Sequence, residues 1–221
     1  MTTKNIALPL LLLILAIGPA PGQDVNWASG ARDKNLLSAS FGADYSSYYG
    51  ISYGRLLQIG KKSLVAGTVF TLPFGSDLTD DWRLLTSVQT ELLRHGGFAL
   101  TLKPALVLRR YESPMAALFN VGADVSALYG YQKPGWGAAA LLSYDRSISA
   151  RITHRLQKDD YPAVRDGWYH TRSGNFRFGA RLNYTRRSWG MFLIIGKHYG
   201  QNFRDNPTFP FFAELTLQKR F

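Results

Sequence analysis

The stretch Pro210-Phe211-Phe212-Ala213-Glu214-Leu215-Thr216-Leu217-Gln218-Lys219-Arg220-Phe221 decides how the rest of the chain is read. Phe211, Ala213, Leu215 and Leu217 alternate with Phe212, Glu214, Thr216, Gln218 and Arg220. Successive side chains of a strand point to opposite faces, so this segment has one apolar and one polar wall. Such a strand must put its apolar wall against something other than water.

The opposite end carries the three parts of a secretory signal. Lys4 supplies a positive start, Ile6 to Ile17 is an apolar run interrupted by Pro9, and Ala20-Pro21-Gly22 offers small residues for cleavage before Gln23. The run is shorter than the roughly 20 apolar residues of a spanning helix. The absence of cysteine excludes lipoprotein attachment, disulfides and thiolate metal sites. Beyond Gly22 the densest apolar stretches, Ala138 to Leu142 and Met191 to Ile195, are too short to cross a bilayer as helices. Export with no spanning helix leaves a secreted soluble β-domain or a membrane barrel, since only helices and closed barrels satisfy every backbone group in lipid.

An exported, cysteine-free chain that ends in an amphipathic strand and a terminal Phe resembles the outer-membrane β-barrels of Gram-negative bacteria. The resemblance implies an assembly signal formed by Phe211, Leu215, Leu217 and Phe221, read by the barrel assembly machinery. It also implies an outer-membrane location, with lipids including lipopolysaccharide as partners. Lys219 departs from the pattern, because that position is usually apolar or aromatic. The expected organisation is a signal peptide at 1–22 followed by a single barrel domain at 23–221.

Period-two alternation recurs along the chain. Its clearest instance is Ala117, Phe119, Val121, Ala123, Val125, Ala127 and Tyr129 against Asn120, Gly122, Asp124 and Ser126. Eleven candidate strands emerge, among them 136–144 and 148–156 as separate elements joined by a tight link at 145–147. Gly, Pro, Asn, Asp and Ser fill the connections. Bacterial membrane barrels have even strand numbers. The expectation is therefore an all-β, antiparallel, up-and-down transmembrane barrel of about twelve strands, with ten as the alternative. Twelve requires Val25-Asn26-Trp27 to begin a further strand; ten requires two segments to be one. Aromatic residues cluster at strand ends, including Tyr45, Tyr49, Trp82, Tyr111, Tyr129, Tyr131, Trp136, Tyr144, Tyr184, Trp189 and Tyr199, as membrane girdles do.

The chain has 26 Lys and Arg against 15 Asp and Glu, a net charge of +11. The basic residues are spread singly through alternating strands, with no zinc-finger spacing and no phosphate-cradling loop, which excludes nucleic-acid binding. In a barrel the charged wall lines the lumen. Arg83, Lys103, Arg109, Arg151, Arg155, Arg177, Arg181 and Arg220 outnumber Asp44, Glu91, Asp124, Asp145 and Glu214 there. Two functions fit: a narrow porin-like channel preferring small anionic solutes, or a structural barrel filled by paired charges. Near the outer rim Arg155, Lys158, Arg165, Arg172 and Lys197 form a candidate site for lipopolysaccharide phosphates.

Catalysis finds little footing. His95, His154, His170 and His198 lack metal-ligand spacing. His198 and Glu214 share the polar wall of neighbouring strands, but no nucleophile accompanies them. No catalytic residue, metal or cofactor is assigned. A lipid-modifying enzyme with its site at the outer rim stands as the alternative from another class.

Overall fold

A strand with one charged wall and one apolar wall can hide the charged wall by curling the sheet until it closes on itself. The computed structural model describes residues 24–29, 34–44, 46–60, 62–75, 80–156, 161–171, 173–201 and 210–221. Eleven strands run in chain order: β1 (Asn35–Asp44), β2 (Ser46–Ile59), β3 (Lys62–Pro73), β4 (Trp82–His95), β5 (Phe98–Glu112), β6 (Ala116–Gln132), β7 (Trp136–His154), β8 (Gly167–His170), β9 (Gly174–Arg186), β10 (Trp189–Tyr199) and β11 (Phe211–Arg220). Each pairs antiparallel with its neighbours, and β6–β7 and β1–β11 pairings complete the ring. Among the described residues, ten strands close the barrel and β8 lies outside it.

The observed number is the alternative of ten, and β7 explains why twelve is not reached. The candidates 136–144 and 148–156 form one continuous strand. The link at 145–147 is not a turn but lies beside a bulge, where Val121 opposes Ser149 and Gly122 opposes Ser147, leaving Ile148 over. A bulge inserts one residue and shifts the alternation by one. Asp145-Arg146-Ser147 has the composition of a turn, and the broken period completes the resemblance. Merging these segments also places the link at 74–81 on the same end as the other long connections. Val25-Asn26-Trp27 is likewise not a strand. Val25 and Asn26 are buried, and Trp27–Ser29 forms a 3-10 turn.

One end of the barrel has tight turns. Gly96 and Gly97 both have positive φ, 56° and 89°, as a two-residue hairpin matched to strand twist requires. The other end has the longer links at 74–81, 155–166 and 200–210. There β6 and β7 rise above the ring, and β8 pairs with Ser149 to Ile152 where β9 has already ended at Gly174.

The two walls separate cleanly. Leu37, Phe41, Ile51, Leu106, Val125, Leu142, Leu182, Leu193, Leu215 and Leu217 are exposed, whereas Asp124, Asp145, Arg181, His198 and Arg220 are buried. Aromatic rings edge the outer wall at both ends. Phe98, Tyr129, Tyr131 and Trp136 touch at the tight-turn end. At the other end Phe70, Trp82, Phe119 and Trp168 form a chain of contacts. Tyr45 lies outside the described residues.

Near the β1–β11 seam, Tyr48 on β2 reaches across β1 to donate to Glu214 on β11 at 2.5 Å. Gly42 lies between them in register. A Cβ at Gly42 would meet the Tyr48 ring at 2.6 Å and the Ala213 carbonyl oxygen at 2.7 Å. Gly42→Val should therefore displace Tyr48 and lower stability by about 1–3 kcal/mol. Denaturant titration followed by gel mobility of the folded form tests this, and unchanged stability would show that the crossing is not tightly packed.

Candidate functional site

The interior divides into a filled half and a hollow half. At the tight-turn end Val25, Leu36 and Val65 are buried together, with Trp27 and Leu56 packed against them. The segment Asp24–Ser29 is bound inside this end. Asn26 Nδ2 donates to the Lys133 carbonyl at 2.8 Å, the Trp27 amide donates to Gln132 Oε1 at 3.2 Å, and Gln218 Nε2 donates to the Asp24 carbonyl at 3.2 Å. Arg220 donates to Ser29 Oγ at 2.5 Å. Phe192 and Arg181 are both essentially fully buried there, the guanidinium 6.0 Å from the ring centroid.

Above this floor a cavity of about 630 Å³ extends to the long-loop rim, from Asp24 up to Pro73, Asp81 and Tyr111. Its wall is a network of paired charges. Arg177 Nη2 contacts Asp124 Oδ2 at 2.5 Å, and Nη1 lies 3.7 Å from Asp44. Asp124 also accepts from the Ser126 and Ser143 hydroxyl groups at 2.8 and 3.0 Å. Arg109 pairs with Asp145. Lys103 Nζ contacts Asp24 at 3.0 Å, with Arg181 3.8 Å from the same carboxylate. Removing one partner of a buried pair leaves an uncompensated charge, so these contacts are mutually dependent.

The network gathers Arg83, Lys103, Arg109, Asp124, Asp145, Arg177 and Glu214 around one cavity. Arg181 and Arg220 face inward but belong to the filled half. Glu91 pairs with Arg94 at 2.5 Å close to the Gly96-Gly97 turn and does not line the cavity. Two residues fall elsewhere than the alternation implies. Arg151 follows the Ile148 bulge, so its parity is reversed; it is exposed and opposes Phe119 on the outer wall. Arg155 lies beyond the end of β7, exposed, and pairs with Glu112. Phe211, Leu215, Leu217 and Phe221 are exposed. Lys219 Nζ lies 4.8 Å from the Trp189 ring centroid, and Lys197 Nζ lies 4.9 Å from that of Tyr199. Each ammonium thus sits at an aromatic edge. Lys158 and Arg172 lie outside the described residues.

His198 finds a partner other than the expected one. Its Nδ1 is 3.2 Å from Asp44 Oδ1, and its ring stacks on Phe212. Glu214 instead accepts from Tyr48 and Thr216. Tyr48 shares parity with Gly50 and Ser52, so its inward direction could have been read from the alternation. Asp24 could not, because no period governs the segment before β1. No protein-family model matches the sequence, and no curated protein matches it either.

Asp24 precedes the first strand. Burial works against its ionisation, but Lys103 and Arg181 more than reverse this, so its carboxyl titrates below the ordinary 3.8. A depressed carboxyl stabilises docking above its ordinary value, and the stabilisation is lost as pH falls through the lowered one. A spin label at Ala28→Cys, in a chain with no other cysteine, should be immobile at neutral pH and mobilise only in acid below the ordinary carboxyl value. Asp24→Asn should weaken docking by about 3–5 kcal/mol at neutral pH by leaving Lys103 without its partner. A label equally immobile in both tests would show that Asp24 does not hold the segment.

Proposed function

We propose that this chain is a Gram-negative outer-membrane β-barrel of the closed kind, serving a structural role with no steady passage and no chemistry of its own. The observation that carries the reading is the inversion of its walls. Large apolar side chains are exposed around the ring while paired Arg and Asp side chains are buried within it. Contiguous exposed apolar surface of this extent needs a non-aqueous partner, and a bilayer bounded by the two aromatic edges supplies one. On this placement the tight turns face the periplasm and the long links face outward.

Closure is supported by the segment Asp24–Ser29, bound across the tight-turn end. A ten-strand ring lies between the solid eight-strand barrels and the wide porins, so a short segment is enough to plug one end of it. The anion-preferring channel has less support. Lys103, Arg109 and Arg177 each face a carboxylate at close range and present no free positive ring. Export through residues 1–22, recognition of the Phe211–Phe221 face by the assembly machinery, and contacts with lipopolysaccharide complete the proposal. Residues 1–22 lie outside the described part of the chain.

Purified protein in planar bilayers should give no steady conductance, and a variant lacking residues 24–29 should conduct. Steady anion-selective current from the intact protein would overturn the closed reading. Placement in lipid has its own test at Val125, which is exposed midway between Phe119 and Tyr131 on β6. Val125→Arg should cost about 2–4 kcal/mol near the midplane, and Tyr129→Arg about 0–1 kcal/mol nearer the interface. Equal costs at the two sites, or a protein that stays monomeric without detergent, would remove the membrane assignment.

A further inference from the structure

At the rim of the cup Asp81 accepts from the Glu112 amide and Arg110 pairs with the Glu112 carboxylate; below them the charges pair off and leave two over. Lys103 is matched by Asp24, Arg109 by Asp145, and Arg177 by Asp124 and Asp44. Arg83 forms no ion pair among the described residues, and its Nε and Nη2 are buried without a hydrogen-bond acceptor. Among the described residues Glu214 meets no cation, and its carboxylate accepts only from neutral hydroxyl groups, Tyr48 at 2.5 Å and Thr216 at 3.0 Å. Both side chains line the same cavity. They are carried by β4 and β11, with β3, β2 and β1 between them in the ring. The walls hold one unmatched positive and one unmatched negative group apart rather than letting them collapse into a pair.

Water in the cup can hydrogen-bond to both groups but neutralises neither. A simple anion on Arg83 would leave Glu214 unmatched and add negative charge to a wall that already carries Asp44, Asp124 and Asp145. A simple cation on Glu214 would leave Arg83 unmatched. A molecule bearing both charges satisfies both ends and leaves the net charge of the cavity unchanged. We propose that the cup binds a zwitterionic solute, an amino acid or short peptide, with its carboxylate on Arg83 and its ammonium on Glu214. The guanidinium can engage a carboxylate through two parallel N–H donors. Val69, Leu85, Leu141 and Ile194 give the cavity apolar surface for an aliphatic spacer. A volume of about 630 Å³ falls within the range of small-molecule sites. The assignment does not depend on whether the barrel conducts.

The test is calorimetric titration of the full chain, folded in detergent micelles. The probes are β-alanine, γ-aminobutyrate, ε-aminocaproate, dialanine and trialanine, which span a range of charge separations. At least one should bind, and its N-acetyl and carboxamide derivatives should each bind at least about tenfold more weakly. Arg83→Gln should abolish the preference for the free carboxylate over the amide and keep the preference for the free ammonium. Glu214→Gln should do the reverse. Each variant is checked for native gel mobility, and if one fails to fold the derivatives on the unaltered protein still decide. An N-acetyl derivative that binds as well as its parent would reduce the cup to a simple anion site and overturn the proposal. So would an equally bound amide, or no binding by any probe up to about 10 mM.

Discussion

The pairing of β1 with β11 is the contact on which the rest of the structure depends. It runs in register from Leu36 opposite Arg220 to Asp44 opposite Phe212. Just beyond it, Asn35 and Phe221 exchange two backbone hydrogen bonds of 3.0 Å. Without this seam the sheet would have two long open edges, each a row of unpaired amides and carbonyls. It would also have no inside. Asp44 on β1 comes near Arg177 on β9 and His198 on β10 only because this seam brings β1 beside β11.

Closure makes a charged interior affordable in energetic terms because the charges can find one another. Their pairing is graded along the axis. Toward the tight turns the filling is mixed: Leu36, Leu128, Val65 and Phe192 are buried, and so are Gln89, Arg181 and Gln218. Toward the long links the side chains are held apart around open space, and the contacts become charge-assisted. The bond between Tyr48 and Glu214 spans three strands and ties the seam to the cup. The residues that close the barrel are therefore also residues that shape its cavity.

The inner and outer walls were legible wherever alternation ran unbroken. On β6, Asp124 and Asn120 face inward and Val121, Ala123 and Val125 outward, as period two requires. On β11 the apolar face lies outward along its whole length. Legibility failed where the period broke. The extra residue at Ile148 disguised a continuous strand as two and reversed the direction of Arg151. The partners of the inward charges were not legible at all, because the choice between Asp44 and Glu214 for His198 depends on stagger between strands far apart in sequence. Nor could Asp24 be assigned, since a segment without regular structure is positioned entirely by what it touches.

The floor of the cup also dictates an order of events. Asp24 to Ser29 lead into the first strand, yet they bind Lys133, Gln218 and Arg220, which lie from 107 to 194 residues further along the chain. Their docking surface includes the final strand and the turn after β6, so it does not exist until the ring is complete. Loop closure over such separations is entropically costly and slow compared with local pairing. The first described segment of the chain is thus among the last to find its place, and the barrel passes through a stage in which it is closed around its circumference but still open along its axis.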